Sequence, residues 1–200
     1  MNRHVMRTAL FWAALAAGAV VAGCGDGGAG NTSAQLASAN EYFAKQNYAA
    51  AVIELKSALQ KSPDNRDARL LLGQSLLAAG DAATAAVELK KALDLGANPN
   101  DVQPLLAKSV LGQNNPRQVV LQFADVRLDR SDASAELKTT VATALAALGE
   151  RERALQTTLS ALTDSPQHVP ATLLHARLKA ATGDMDGAMT LVGQVLAGSS

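Results

Sequence analysis

Two hundred residues suffice for one ordinary domain or a short repeat array, and eighteen basic residues against eighteen acidic ones leave no net charge to draw a polyanion, which argues against nucleic acid as a partner. The chain is 48% hydrophobic but only 3% aromatic, so its core must be built from Ala, Leu and Val in closely packed helices, and an all-α fold is expected. A single cysteine, Cys24, excludes an internal disulfide framework.

The first residues read as an export signal. Arg3 and Arg7 precede the apolar run "TALFWAALAAGAVV", and small residues follow before Cys24. A helix over that run would reach roughly 21 Å, short of the ~30 Å hydrocarbon core, so cleavage is expected rather than a permanent span. Val21-Ala22-Gly23-Cys24 resembles the bacterial lipobox. That resemblance implies a signal peptide over 1–23, lipidation of Cys24 and a lipid membrane as partner, the chain facing the periplasm. Gly25 stands where an Asp would favour inner-membrane retention, so the outer membrane is favoured over the inner. The stretch 24–31 is read as the lipidated cysteine and a Gly-rich tether. Its glycines fit no phosphate-loop spacing and follow no strand.

From Thr32 the chain repeats itself. "AVIELKSAL" at 51–59 returns as "AAVELKKAL" at 85–93, an interval of 34 residues. Windows are placed at 32–65, 66–99, 100–134, 135–168 and 169–200, with one extra residue shifting the phase in the third. In each, apolar residues recur at three- and four-residue spacing, giving two helices whose stripes cannot be buried alone. Gly80-Asp81, Gly149-Glu150 and Gly183-Asp184 mark the turns between paired helices. Pro63 and Pro166 end second helices. Small residues at Ala39, Gly73, Ala107, Ala142 and Ala176 are expected to face Ala51, Ala85, Val119, Ala154 and Ala188 at the closest helix crossings. Asn115-Pro116, Thr158 and Ala97 interrupt the pattern, and looser packing is expected there. In the fifth window Leu191, Val192, Val195 and Leu196 form an apolar stripe with no sixth window to cover it. The expectation is that the array continues or that another molecule covers the stripe.

This 34-residue pattern of small, large apolar and Pro positions resembles the tetratricopeptide repeat. The resemblance implies a right-handed superhelical solenoid of five helix-turn-helix units. "NYAAAVIELKSALQKSPDNRDARLLLGQSLL" with "ALDLGANPNDVQPLLAKSVLGQ", following a lipobox, is also similar to the PrsT-type repeat lipoproteins of the PEP-CTERM/exosortase system. That narrower resemblance implies an envelope scaffold or adaptor linked to exopolysaccharide production and surface-protein sorting. Two alternatives stay open: a pilotin-like assembly chaperone for an outer-membrane secretin or pilus, and a non-catalytic accessory subunit of a glycan-processing enzyme.

No constellation for catalysis stands out, and neither cofactor nor metal is expected. His168 and His175 have no Cys or carboxylate at metal-ligand spacing. Glu54/Lys56 and Glu88/Lys90 are read as solvated pairs on an outer face, which makes Glu88→Ala nearly neutral for stability. What remains is recognition of protein or peptide partners. In the repeats it resembles, first helices line the inner surface. Asn40, Gln74, Lys108, Thr143 and Arg177, with Phe43, Leu77 and Leu111 alongside, are the candidate groove residues.

Overall fold

The computed structural model describes residues 27–198, so the signal segment, Cys24 and the start of the tether lie outside the described residues. Ten helices and no strand occupy that span: α1 Gly27–Ala44, α2 Tyr48–Lys61, α3 Arg66–Ala78, α4 Ala82–Asp94, α5 Pro99–Gly112, α6 Pro116–Phe123, α7 Ser131–Ala147, α8 Arg151–Asp164, α9 Val169–Ala181 and α10 Met185–Ala197. They form five antiparallel hairpins, and each hairpin packs only against the hairpins beside it in the row. The first helix is under way at Gly27, upstream of Thr32, where the first repeat is expected to begin.

Short polar side chains start most of these helices. Asn47, Asn65, Asp81, Asn98, Asn115 and Asp184 each accept a hydrogen bond from a backbone N–H in the first turn, as Asn65 does from Ala68 at 2.9 Å. Glu150 makes no such cap; its longer side chain turns to Arg153 instead. Pro116, whose place next to Asn115 breaks the repeat pattern, sits in the first turn of α6, where a missing N–H costs nothing.

Every hairpin turns through one left-handed residue at the same position of the repeat. Gly80, Gly149 and Gly183 hold it at φ of 81° to 89°, whereas Gln46 (58°) and Asn114 (57°) hold it in the first and third hairpins. A side chain in this conformation costs roughly 1–2 kcal/mol. Gln46→Gly removes that cost, while the freer unfolded chain returns part of it. The variant should be more stable by about 0.5–1 kcal/mol, raising the melting temperature by a few degrees; an unchanged or lower value would contradict the turn geometry.

The small residues expected at the crossings are all buried, from Ala39, Ala51, Ala85, Ala107, Val119, Ala142 and Ala154 at 0% exposure to Ala176 and Ala188 at the end. Gly73 shows why size matters there. A Cβ on it would lie 2.5 Å from Leu89 Cγ and 3.4 Å from the Ala85 carbonyl oxygen, so α3 and α4 approach more closely than any side chain at 73 allows. Thr158, expected to loosen its repeat, is fully buried, and its hydroxyl donates to the Ala154 carbonyl at 2.7 Å, leaving no unsatisfied polar atom.

The third hairpin departs from the others. Its second helix, α6, has 8 residues against 13 or 14 elsewhere, and α7 begins at Ser131, four residues ahead of the window expected at Ala135. The connection is pinned to the start of α5. Asn100 Nδ2 donates to Asp129 Oδ1 at 2.5 Å, Asn100 Oδ1 accepts from the Arg130 backbone N–H, and the Arg130 guanidinium bridges Asp101 at 2.8 Å and Asp132 at 2.7 Å.

The outer-face reading of Glu88 is corrected by the fold. Its position directly precedes the buried Leu89, at the flank of the apolar stripe rather than its outer pole, so its side chain is only 11% exposed. Arg69 on α3 pairs with it at 2.5 Å and Lys91 at 2.8 Å. Burial pushes this carboxyl up, but the hydrogen bonds and charges of Lys91 and Arg69 together outweigh it and hold the group below the ordinary carboxylate range. Lys90, by contrast, is exposed as expected.

Candidate functional site

The first helices of successive hairpins lie side by side, and their aligned positions form a trough. One cavity of about 380 Å³ lies over α3, α5 and the start of α7, bounded by Gln74, Asp101, Pro104, Arg130, Glu136 and His168. A second, of about 500 Å³, continues it across α5, α7 and α9, bounded by Lys108, Leu111, Glu136, Thr143, Leu173 and Arg177. Glu136 belongs to both. Five of the candidate groove residues (Gln74, Lys108, Leu111, Thr143 and Arg177) therefore share one continuous surface.

The other three stand apart from it. Asn40 is exposed on α1 and its amide donates to the Leu36 carbonyl at 2.9 Å. Phe43 packs edge-on against Tyr48 with ring centroids 5.4 Å apart, and Leu77 is half-buried; both serve the core between α1 and α3.

One ion pair in the trough crosses a repeat boundary. Lys108 pairs with Glu136 at 2.5 Å, joining the ninth position of one repeat to the second position of the next. The equivalent positions at the neighbouring boundaries are Gln74 and Asp101 on one side and Thr143 and Pro170 on the other, neither of them an ion pair. Glu136 also lies 3.3 Å from His168 Nε2, a buried nitrogen that makes no hydrogen bond. Sequence reasoning missed Glu136, Asp101, Arg130 and His168 as trough residues. Laying the windows against one another would have shown acids recurring at the second position, at Asp67, Asp101 and Glu136.

Arg177 stands at the position of Lys108 but has no ion-pair partner among the described residues. The threonines between these cations donate to their own helix: Thr139 to Ala135, Thr140 to Glu136 and Thr143 to Thr139, at 2.7 to 3.1 Å. Their oxygens keep lone pairs free to accept from a ligand. The trough thus offers apolar surface at Leu111 and Leu173, acceptors at the threonines, acids at one end and a free cation at the other. That combination can grip an extended backbone or a helix with polar and apolar sides.

His175 lies away from the trough, in a cavity of about 210 Å³ between α8 and α9. Burial, with the Lys179 charge beside it, holds its imidazole below its ordinary value. Among the described residues no group of three or more His, Cys, Asp or Glu could hold a metal ion, and no helix is long and apolar enough to cross a membrane.

Residues 42–109 match the tetratricopeptide repeat family. No curated protein matches the chain in sequence. Solved structures share the fold at low identity. PilF of Pseudomonas aeruginosa is 16% identical with a TM-score of 0.69, covering 86% of this chain and 78% of its own. PilW, described as a widely conserved type IV pilus biogenesis factor, is 20% identical with a TM-score of 0.68, over 83% and 76% of the two chains. YrrB, described as a tetratricopeptide-repeat protein with an unusual peptide-binding site, is 18% identical with a TM-score of 0.58, over 82% and 84%. The fold is that of a tetratricopeptide-repeat solenoid, and residues 42–109 carry the repeat's sequence signature.

Proposed function

We propose that this repeat solenoid is a protein-interaction scaffold that seats a segment of a partner in the trough along α3 to α9, and that it works at the bacterial envelope, tethered by lipid on Cys24. The continuity of the trough across three repeat boundaries carries the first half of this reading. The peptide-binding site named for YrrB supports it by likeness of fold. The lipobox-like Val21-Ala22-Gly23-Cys24 supports the second half. The similarity to the PEP-CTERM/exosortase lipoproteins points to exopolysaccharide production and surface-protein sorting as the process served. The fold likeness to PilF and PilW favours a second reading, an assembly factor for a pilus or secretin.

A photo-crosslinking residue at Thr143 tests the trough in intact cells, with the exposed Lys90 on α4 as the outer-face control. A defined partner should be captured at 143 with at least about fivefold higher yield than at 90. Equal yields would remove the trough as the binding surface. The partner captured separates the two readings: an export or sorting component supports the first, a pilus or secretin component the second. Cys24→Ser should shift the protein out of the membrane fraction or block its processing, and a variant still processed and membrane-bound would end the anchor reading.

A further inference from the structure

Glu136, the acid shared by both trough cavities, stands between two bases from different repeats. Its Oε1 pairs with Lys108 Nζ at 2.5 Å, and its Oε2 lies 3.3 Å from Nε2 of His168, the residue immediately before α9. The His168 side chain makes no cap hydrogen bond to α9; it is 13% exposed, and its Nε2 is enclosed without a hydrogen-bond partner. An enclosed ring nitrogen left unpaired is costly, and here a carboxylate already lies within reach. The two bases differ in one respect. Lysine keeps its charge through the neutral range, whereas an imidazole acquires its charge in mild acid, when both ring nitrogens become donors.

We infer that His168 is a pH-operated tie that regulates the trough: protonated, its Nε2–H donates to Glu136, fastens the start of α9 to α7, and competes with Lys108 for the carboxylate. Lys108 then joins Arg177 as a cation offered to a ligand, since both border the cavity across α5, α7 and α9. A partner segment bearing carboxylates is accordingly held more tightly in mild acid than above neutrality. This regulation rests on the trough being the binding surface. The other charges around the histidine are already engaged, which leaves Glu136 to answer it. Asp101 and Asp132, in the first turns of α5 and α7, both pair with Arg130. Asp164, at the end of α8, pairs with Lys138 on α7. The first turn of α9, Val169 to Thr172, carries no charge.

Thermal melts of the full-length protein at pH 5.5 and pH 8 test the tie without any ligand. His168→Gln keeps a polar side chain but removes the switchable charge. Its melting temperature should fall about 2–4 °C further below wild type at pH 5.5 than at pH 8, and this extra loss should vanish in a background of Glu136→Gln. A difference that is equal at the two pH values, that reverses sign at pH 5.5, or that persists with Glu136→Gln overturns the inference. The effect on the trough is read with the crosslinking residue at Thr143, in detergent extracts of the same cells buffered at the two pH values. Partner yield should be at least about threefold higher at pH 5.5 than at pH 8, and His168→Gln should make the two yields equal. Capture that is strong but indifferent to pH, or that keeps its pH dependence in His168→Gln, also overturns the regulation while leaving the trough as the binding surface. Capture at 143 no better than at Lys90 at either pH removes the trough itself, and this regulation with it.

Discussion

Ala85→Glu should lower the unfolding free energy by about 4 kcal/mol or more, enough to melt the second hairpin near room temperature. Ala85 is fully buried where α4 crosses α3 at Gly73, and the Leu89 side chain packed there leaves no room for even one added carbon on the glycine. A glutamate would have to separate the helices or bury its carboxylate. Neither route has an evident compensating partner: Ala85 belongs to an apolar cluster with Ala51, Leu55, Leu72 and Leu76 among others. Circular dichroism melts against Lys90→Ala, an exposed change on the same helix that should stay within about 0.5 kcal/mol, give the comparison. If the two variants melt together, α4 does not face α3 through Ala85.

Glu88→Ala should cost roughly 1.5–3 kcal/mol, far more than an outer-face glutamate would. The loss comes from Arg69, whose side chain is 15% exposed and whose guanidinium keeps only the Pro63 carbonyl, at 2.9 Å, once Glu88 is gone. The pH dependence separates this from a packing effect. Because the folded state holds the Glu88 carboxyl below its ordinary value, the unfolded chain takes up the proton first as acid is added. The stabilisation is therefore complete above the ordinary carboxylate range and fades as pH falls through the lowered folded value. Glu88→Gln should fall below the wild type at pH 7, and the gap should narrow steadily as pH falls below the ordinary carboxylate range. Asp164 is held low in the same sense: burial raises it, but Lys138 and Ser134 more than offset that. His175 adds to the acid sensitivity from pH 6.5 downward, since its lowered value means that the unfolded chain gains its proton first. A constant Glu88→Gln difference across this range would contradict the ion pair.

The pairing of helices was legible because it rests on spacing. A 34-residue period with small residues at fixed offsets places Ala39 on Ala51 and Gly73 on Ala85, and the structure has them buried there. Helix ends were legible where a short polar residue meets a glycine or proline, as at Gly80-Asp81. What escaped was whatever depends on two repeats at once. Glu88 looked like a surface charge in its own helix, but it sits at the flank of the apolar stripe and pairs with Arg69, nineteen residues earlier, across from α3. Lys108 looked like a free groove cation, yet Glu136 in the next repeat neutralises it. The early start of α7 was hidden for a similar reason: Arg130 and Asp129 read as loop polarity until Asn100 and Asp101 are placed opposite them.

Hairpins that touch only the hairpins beside them also decide how such a row comes apart. With no contact tying distant hairpins together, opening can spread one hairpin at a time like a zip, and it begins where the teeth grip least. Of the thirteen residues in α10 only Ala188 is buried, whereas α7 buries nine of its seventeen. A protease sampling the native protein would meet α10 open long before it met the helices that build the trough, and a nicked chain could keep its trough.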